Sequence, residues 1–167
     1  PQFKGIVNPI YPSSAYDYEN LPETQYPRYF NTPNQRYAAA KIAALENAED
    51  GLVFSSGMAA ILTSLFAFLK QGDHAVLQND LYGGTYRIFK TIFEKYGIKF
   101  HFIGMQDAAT IENYMNENTK LIWVETPTNP MMNIIDIVAT AKIAKKYNAM
   151  LAVDNTFATP YLQNPLD

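Results

Sequence analysis

The sequence has no cysteine and only two histidines, His74 and His101. The first absence removes disulfides, thiolate metal ligands and cysteine nucleophiles. The second leaves too few imidazoles for a histidine-rich metal centre, so no metal site is expected. Basic runs are also missing. The 13 Lys and Arg residues are dispersed and the formal net charge is −3, which gives a nucleic acid or an anionic membrane nothing to hold. No apolar run approaches the roughly 18 residues of a membrane span, and no basic-then-apolar leader pattern opens the chain. The expectation is a soluble, cytoplasmic protein without internal repeats or low-complexity segments.

What is present is a chain of 167 residues with 48% hydrophobic content, enough to bury one sizeable core. Residues 1–31 read as an extended arm with neither helical nor alternating period. Its prolines are interleaved with Tyr11, Tyr16, Tyr18, Tyr26, Tyr29 and Phe30. So much ring area needs a surface to cover it, and a partner subunit is the natural one. Thr32-Pro33-Asn34-Gln35 then predicts a helix start, with Thr32 as N-cap, Pro33 at the first helical position and Gln35 closing a capping box. The helix runs from Arg36 to Glu46 with Ala39, Ile42, Ala43 and Leu45 on its apolar side, and Asp50-Gly51 end it.

From there short apolar runs alternate with helical ones. Strands are predicted at Leu52 to Ser55, Ala75 to Gln78, Lys99 to Phe102, Leu121 to Val124 and Leu151 to Val153. Helices are predicted at Met58 to Leu69, Thr85 to Tyr96, Ala108 to Met115 and Ile137 to Tyr147. Strict alternation implies right-handed crossovers and a mainly parallel sheet flanked by helices, an α/β fold. The helix from Met58 is apolar nearly all round and should lie deep.

Ligands of open α/β sheets bind beyond the carboxyl ends of the strands, so the residues at those exits are the site candidates. Ser55-Ser56-Gly57-Met58 offers a helix start where unpaired N–H groups and a glycine make a phosphate cradle, or simply a Ser-capped helix. Neither a Walker loop nor a G-x-G-x-x-G turn is present. Asn79-Asp80-Leu81-Tyr82-Gly83-Gly84 places an aromatic plate beside two glycines, or a plain turn with a surface tyrosine. Glu125-Thr126-Pro127-Thr128-Asn129-Pro130 is a loop stiffened by two prolines, suited to recognition or to a tight connection. Met150 to Thr156 ends an apolar run on Asp154, a site acid or a turn-forming aspartate. Together an anion cradle, an aromatic plate, a rigid amide loop and a buried acid describe a planar, phosphorylated, nitrogen-containing cofactor. Pyridoxal 5'-phosphate needs these parts.

The sequence resembles, over essentially its whole length, the Cys/Met-metabolism pyridoxal-phosphate family. Its members are cystathionine γ-synthase, cystathionine γ- and β-lyases, O-acetylhomoserine sulfhydrylase and methionine γ-lyase. The resemblance implies a fold-type-I PLP-transferase large domain, with residues 32–167 its N-terminal part. Gly57 and Met58 would offer N–H groups to the phosphate beside Ser56. Tyr82 would stack on the ring and move protons, Asn129 would lie near the ring hydroxyl, and Asp154 would hold the ring nitrogen. Tyr26-Pro27-Arg28 stands where a Tyr-x-Arg element reaches the phosphate from a neighbouring subunit, in a tetramer of active dimers. The chain reads Asn31-Thr32-Pro33-Asn34 where the family usually reads Asn-Pro-Thr, and has Gly84 where methionine γ-lyases usually carry cysteine. The Schiff-base lysine would lie beyond Asp167, so the chain is expected to be the N-terminal part of a longer enzyme. The implied activity is β/γ-elimination or γ-replacement on sulfur amino acids. A fold-type-I aminotransferase and a catalytically silent α/β binding module are the alternatives.

Overall fold

Period-two alternation in the strands decides the layering of this protein. The computed structural model describes residues 4–104 and 108–167. It pairs β1 (His74–Gln78), β2 (Lys99–Ile103), β3 (Thr119–Glu125) and β4 (Met150–Asp154) in one sheet of order β2-β1-β3-β4, every pair parallel. Ala75, Leu77, Leu121 and Trp123 point to one face, where Leu65, Phe89 and Phe93 meet them. Val76, Ile122 and Val124 point to the other, against Ile111, Ile143 and Ala144. Strands covered on both sides read as nearly continuous apolar runs; β1 is buried throughout, with Ala75-Val76-Leu77 between the hydrogen-bonded ends His74 and Gln78. The expected mainly parallel sheet flanked by helices is therefore found.

Contacts divide the chain into two units, Pro1–Phe54 with Leu166–Asp167, and Ser55–Pro165. In the first, a 3-10 turn (Pro27–Tyr29) precedes α1 (Pro33–Leu45). Gln35 Oε1 accepts from the Thr32 N–H at 3.2 Å and from the Thr32 hydroxyl at 2.7 Å, so the helix begins where expected. It ends before Asp50-Gly51. Asn47 takes the left-handed conformation (φ 54°) and the Ala48 N–H closes on the Ala43 carbonyl at 2.9 Å, a glycine-type cap built on asparagine. Ala39 and Ala43 are buried, whereas Ile42 and Leu45 lie about half exposed.

The second unit holds the sheet with α2 (Gly57–Phe68), α3 (Gly83–Thr91), α4 (Ala109–Glu112), α5 (Ile137–Lys146) and α6 (Thr159–Leu162). Four expectations need correction. Leu52 to Ser55 is irregular rather than a strand: it is apolar, but a strand exists only with a ladder partner, and this segment joins no sheet among the described residues. The helix expected over Thr85 to Tyr96 starts earlier, at Gly83, and ends at Thr91. A 3-10 turn (Phe93–Tyr96) follows, sinking Phe93 into the core before Gly97 (φ 71°) reverses the chain. The Ala108 to Met115 helix shrinks to four residues because Asn116 and Thr119 recruit the following backbone. Finally, α2 buries Leu65 against the sheet while Phe66 and Phe68 stay open, so it is covered on one side.

At the amino ends of β1, β2 and β3 a polar network fixes a tautomer. The Asn118 N–H donates to Asn116 Oδ1 at 2.9 Å, which orients that amide so that its Nδ2 donates to His74 Nδ1 at 3.2 Å. Thr119 Oγ1 lies 2.8 Å from the same nitrogen and already accepts the Asn116 N–H, so its proton goes to His74. His74 therefore carries hydrogen on Nε2 and donates to His101 Nδ1 at 2.7 Å. Burial above all, then the His101 ring and Lys99, lowers the His74 pKa to about 4 from 6.5. A base with a depressed folded pKa stabilises fully above about pH 6.5 and loses that contribution as pH falls toward 4, because the unfolded chain takes the proton first. The gap corresponds to about 3 kcal/mol at most. Urea unfolding at pH 7 and pH 5 should show this loss, and His74→Gln should flatten the difference between the two.

Candidate functional site

Parallel pairing carries the exits of β1, β3 and β4 to one edge. A cavity of about 290 Å³ opens there, lined by Ser56, Gly57, Met58, Tyr82, Asn129, Asp154 and their neighbours. All of its walls belong to the second unit. Of the residues singled out in the sequence, Gly57, Met58, Tyr82, Asn129 and Asp154 come together. Tyr26 and Arg28 belong to the first unit, where Asn31 braces their turn: Oδ1 accepts the Tyr26 N–H at 2.9 Å and Nδ2 donates to the Thr24 carbonyl at 2.8 Å.

Ser55 leaves no strand, and the segment after it forms the start of α2. Ser56 Oγ caps the Ala59 N–H at 3.1 Å, which leaves the N–H groups of Gly57 and Met58 without an acceptor in their own helix. Among the described residues, nothing beyond its chain neighbours and its own helix backbone lies within 4 Å of where a Gly57 Cβ would stand, so the space over this first turn is open. Open N–H groups at the positive end of a 12-residue helix suit an anion.

Asp154 ends β4 and is half-buried rather than enclosed. Its Oδ1 accepts the Thr156 N–H at 3.1 Å and the Thr156 hydroxyl at 2.5 Å, while Oδ2 has no partner among the described residues. The carboxylate is thus oriented by its own loop with one oxygen to spare. Asn129 lies on the loop after β3, in which both Thr126-Pro127 and Asn129-Pro130 are cis. Gln163 joins this loop to the one after β4, donating to the Thr126 carbonyl at 3.0 Å and to Asn155 Oδ1 at 2.8 Å.

Tyr82 stands at the start of α3 and is 45% exposed. A Cβ at Gly84 would come within 2.6 Å of both Tyr82 Cε1 and Met58 Sδ, so the glycine makes room for the ring. Glu125, noticed in the sequence only as a strand exit, proves to be 5% exposed beside the cavity. Its Oε2 accepts the Tyr82 N–H and its Oε1 the Asn129 N–H, both at 2.7 Å. Burial pushes its carboxyl up; the two amides oppose that, and Asp154 and Asp80 add to it. A hint was present in the sequence, because an acid closing a strand of apolar residues must find donors of its own. Thr156 and Gln163 carried no comparable signal.

The chain as a whole, residues 1–167, matches the family model of Cys/Met metabolism PLP-dependent enzymes. It is 45% identical over 164 residues to the cystathionine gamma-synthase/O-acetylhomoserine (thiol)-lyase of Bacillus subtilis, covering 97% of this chain and 44% of that protein. It is 42% identical to the cystathionine gamma-lyase of the same organism, covering 95% of this chain and 42% of the relative. The crystal structure of metB from Corynebacterium glutamicum superposes with a TM-score of 0.91 at 45% identity, over 97% of this chain and 43% of that one. The chain therefore spans less than half the length of these relatives.

The close seat of Tyr82 can be tested directly. Gly84→Ala should displace the Tyr82 ring or the Met58 thioether in a crystal structure while costing no more than about 1–3 kcal/mol in a thermal melt, since both groups can swing aside. An unmoved ring would contradict the packing described.

Proposed function

The chain belongs to the Cys/Met metabolism PLP-dependent enzyme family, and from that premise we propose that the whole protein performs β/γ-elimination or γ-replacement on sulfur amino acids, as a carbon-sulfur lyase or transferase of trans-sulfuration. The observation that carries the proposal is the convergence, in one cavity at the strand exits, of an open helix start, an aromatic ring, a loop amide and a half-free carboxylate. The names of the relatives point the same way and favour neither an aminotransferase nor a silent binding module.

Pyridoxal phosphate is the family's cofactor, and the residues present fit it: the unclaimed space over Gly57 and the unpaired Oδ2 of Asp154 are sites for an anion and for a protonated ring nitrogen. When bound, the cofactor supplies an electron sink for negative charge at the carbon beside the substrate amine. Gly57 and Met58 would hold the phosphate through their N–H groups, with Ser56 adjoining. Asp154 would keep the ring nitrogen protonated by its charge, held in place by Thr156. Asn129 would lie near the ring hydroxyl. Tyr82 would cover one ring face, and its hydroxyl would take up and return the proton that leaves the substrate.

The arm and its Tyr26-Pro27-Arg28 element would complete a neighbouring subunit's phosphate site within a homotetramer of active dimers. The exposure of Ile6, Val7 and Ile10 supports this, since such an apolar stretch gains by being covered. A cytoplasmic location is part of the same proposal. Among the described residues no helix is long and apolar enough to cross a membrane.

Purified full-length protein should carry pyridoxal phosphate, visible by its absorbance, and should turn over cystathionine, an acylated homoserine with a thiol, or both. Asp154→Asn should lower kcat by at least about 100-fold while the fold persists, because a neutral amide cannot hold the ring nitrogen's proton. Full turnover in that variant, or a protein that takes up no cofactor, would refute the proposal.

A further inference from the structure

Two amides from different loops end on a single carboxylate. The Tyr82 N–H comes from the connection after β1 and the Asn129 N–H from the loop after β3, and each reaches its own oxygen of Glu125 at 2.7 Å. We propose that Glu125 is a positioning residue of the active site: a two-armed clamp that sets Tyr82 and Asn129 relative to each other across the cavity. This rests on the pyridoxal-phosphate reading of that cavity.

The chemistry of the clamp is specific to a carboxylate. Two N–H donors need two acceptors, and at this length only glutamate supplies both. Glutamine offers one acceptor and one donor, so either Tyr82 or Asn129 would face an opposing N–H. Aspartate keeps both oxygens but is one methylene shorter, and the span between two loops leaves it within reach of one amide at a time. The clamp is itself anchored. The Glu125 N–H donates to Gln78 Oε1 at 3.0 Å, Gln78 Nε2 donates to Asp80 Oδ1 at 2.7 Å, and Asp80 Oδ2 accepts Asn133 Nδ2 at 2.6 Å. One chain of hydrogen bonds thus ties the end of β1 to both loops that carry cavity residues.

The electrostatic setting argues against a purely stabilising role. The charged neighbours of Glu125 are Asp80 on the loop after β1 and Asp154 on the adjacent strand, both of its own sign. A buried anion among anions is a costly way to brace a fold, and a neutral pair would brace it more cheaply. What the anion adds is the pair of charge-assisted bonds and a negative group at the start of α3. Burial and the two aspartates raise the carboxyl's pKa against the pull of the amides, so acid converts one acceptor into a donor and opens the clamp.

The test uses full-length protein, cofactor-free and cofactor-loaded, as wild type, Glu125→Gln and Glu125→Asp. In the cofactor-free wild type the amides of Tyr82 and Asn129 should be protected from hydrogen exchange. In Glu125→Gln at least one of them should exchange on the order of tenfold faster or more, and in Glu125→Asp one but not both. Pyridoxal phosphate should dissociate roughly tenfold more readily from Glu125→Gln. The visible dichroism of the bound cofactor should change in wild type as pH is lowered, whereas Glu125→Gln should begin at the acid form and stay there. Unaltered exchange together with an unaltered dichroism titration would overturn the clamp. A wild type that binds no pyridoxal phosphate would instead overturn the functional reading, and the exchange rates would still judge the clamp.

Discussion

Parallel pairing of β1, β3 and β4 is the constraint from which the site follows. A parallel ladder sends every strand out at the same edge, and each crossover must then begin there. The start of α3 and the loops after β3 and β4 share that edge as a consequence of topology, and the start of α2 stands with them. The pairing also fixes which exits are neighbours. Glu125 and Asp154 are register partners on adjacent strands, so two carboxylates arrive side by side.

Two acids so placed would repel each other to no purpose if both faced the same ligand. Their surroundings separate them. Glu125 is enclosed and has committed both oxygens to backbone amides, whereas Asp154 is half-buried and committed through one oxygen to Thr156. One carboxylate thereby braces two loops, and the other keeps an oxygen without a partner among the described residues. The positive end of α2 lines the same cavity, which therefore offers both a site for a negative group and a carboxylate for a cationic nitrogen.

Much of this was legible in the amino-acid sequence, and the pattern of what was not is physical. Strands announce themselves as largely apolar runs, so β1 and β3, buried in the middle of the sheet, and β4 at its edge were visible to within two residues at either end. The run at Leu52 to Ser55 looked the same, because apolar composition does not say whether a ladder partner exists. Helix ends were misplaced where a local device outweighed propensity: the left-handed Asn47, the 3-10 turn that buries Phe93, and the polar network around Asn116. Residues that line the cavity, such as Tyr82 and Asp154, could be named from their place after a strand. Glu125 could not be understood that way. Its meaning lies in a spatial relation between two loops some 40 or so residues apart, which no local pattern encodes.

The histidine network sits at the other edge of the same sheet, where β1, β2 and β3 begin. A layer of strands five to seven residues long therefore separates the protein's imidazole seam from the cavity at the strand exits. The two networks share no residue, so the imidazoles at one rim can be repacked while the hydrogen bonds of Glu125 and Asp154 at the other stay as they are.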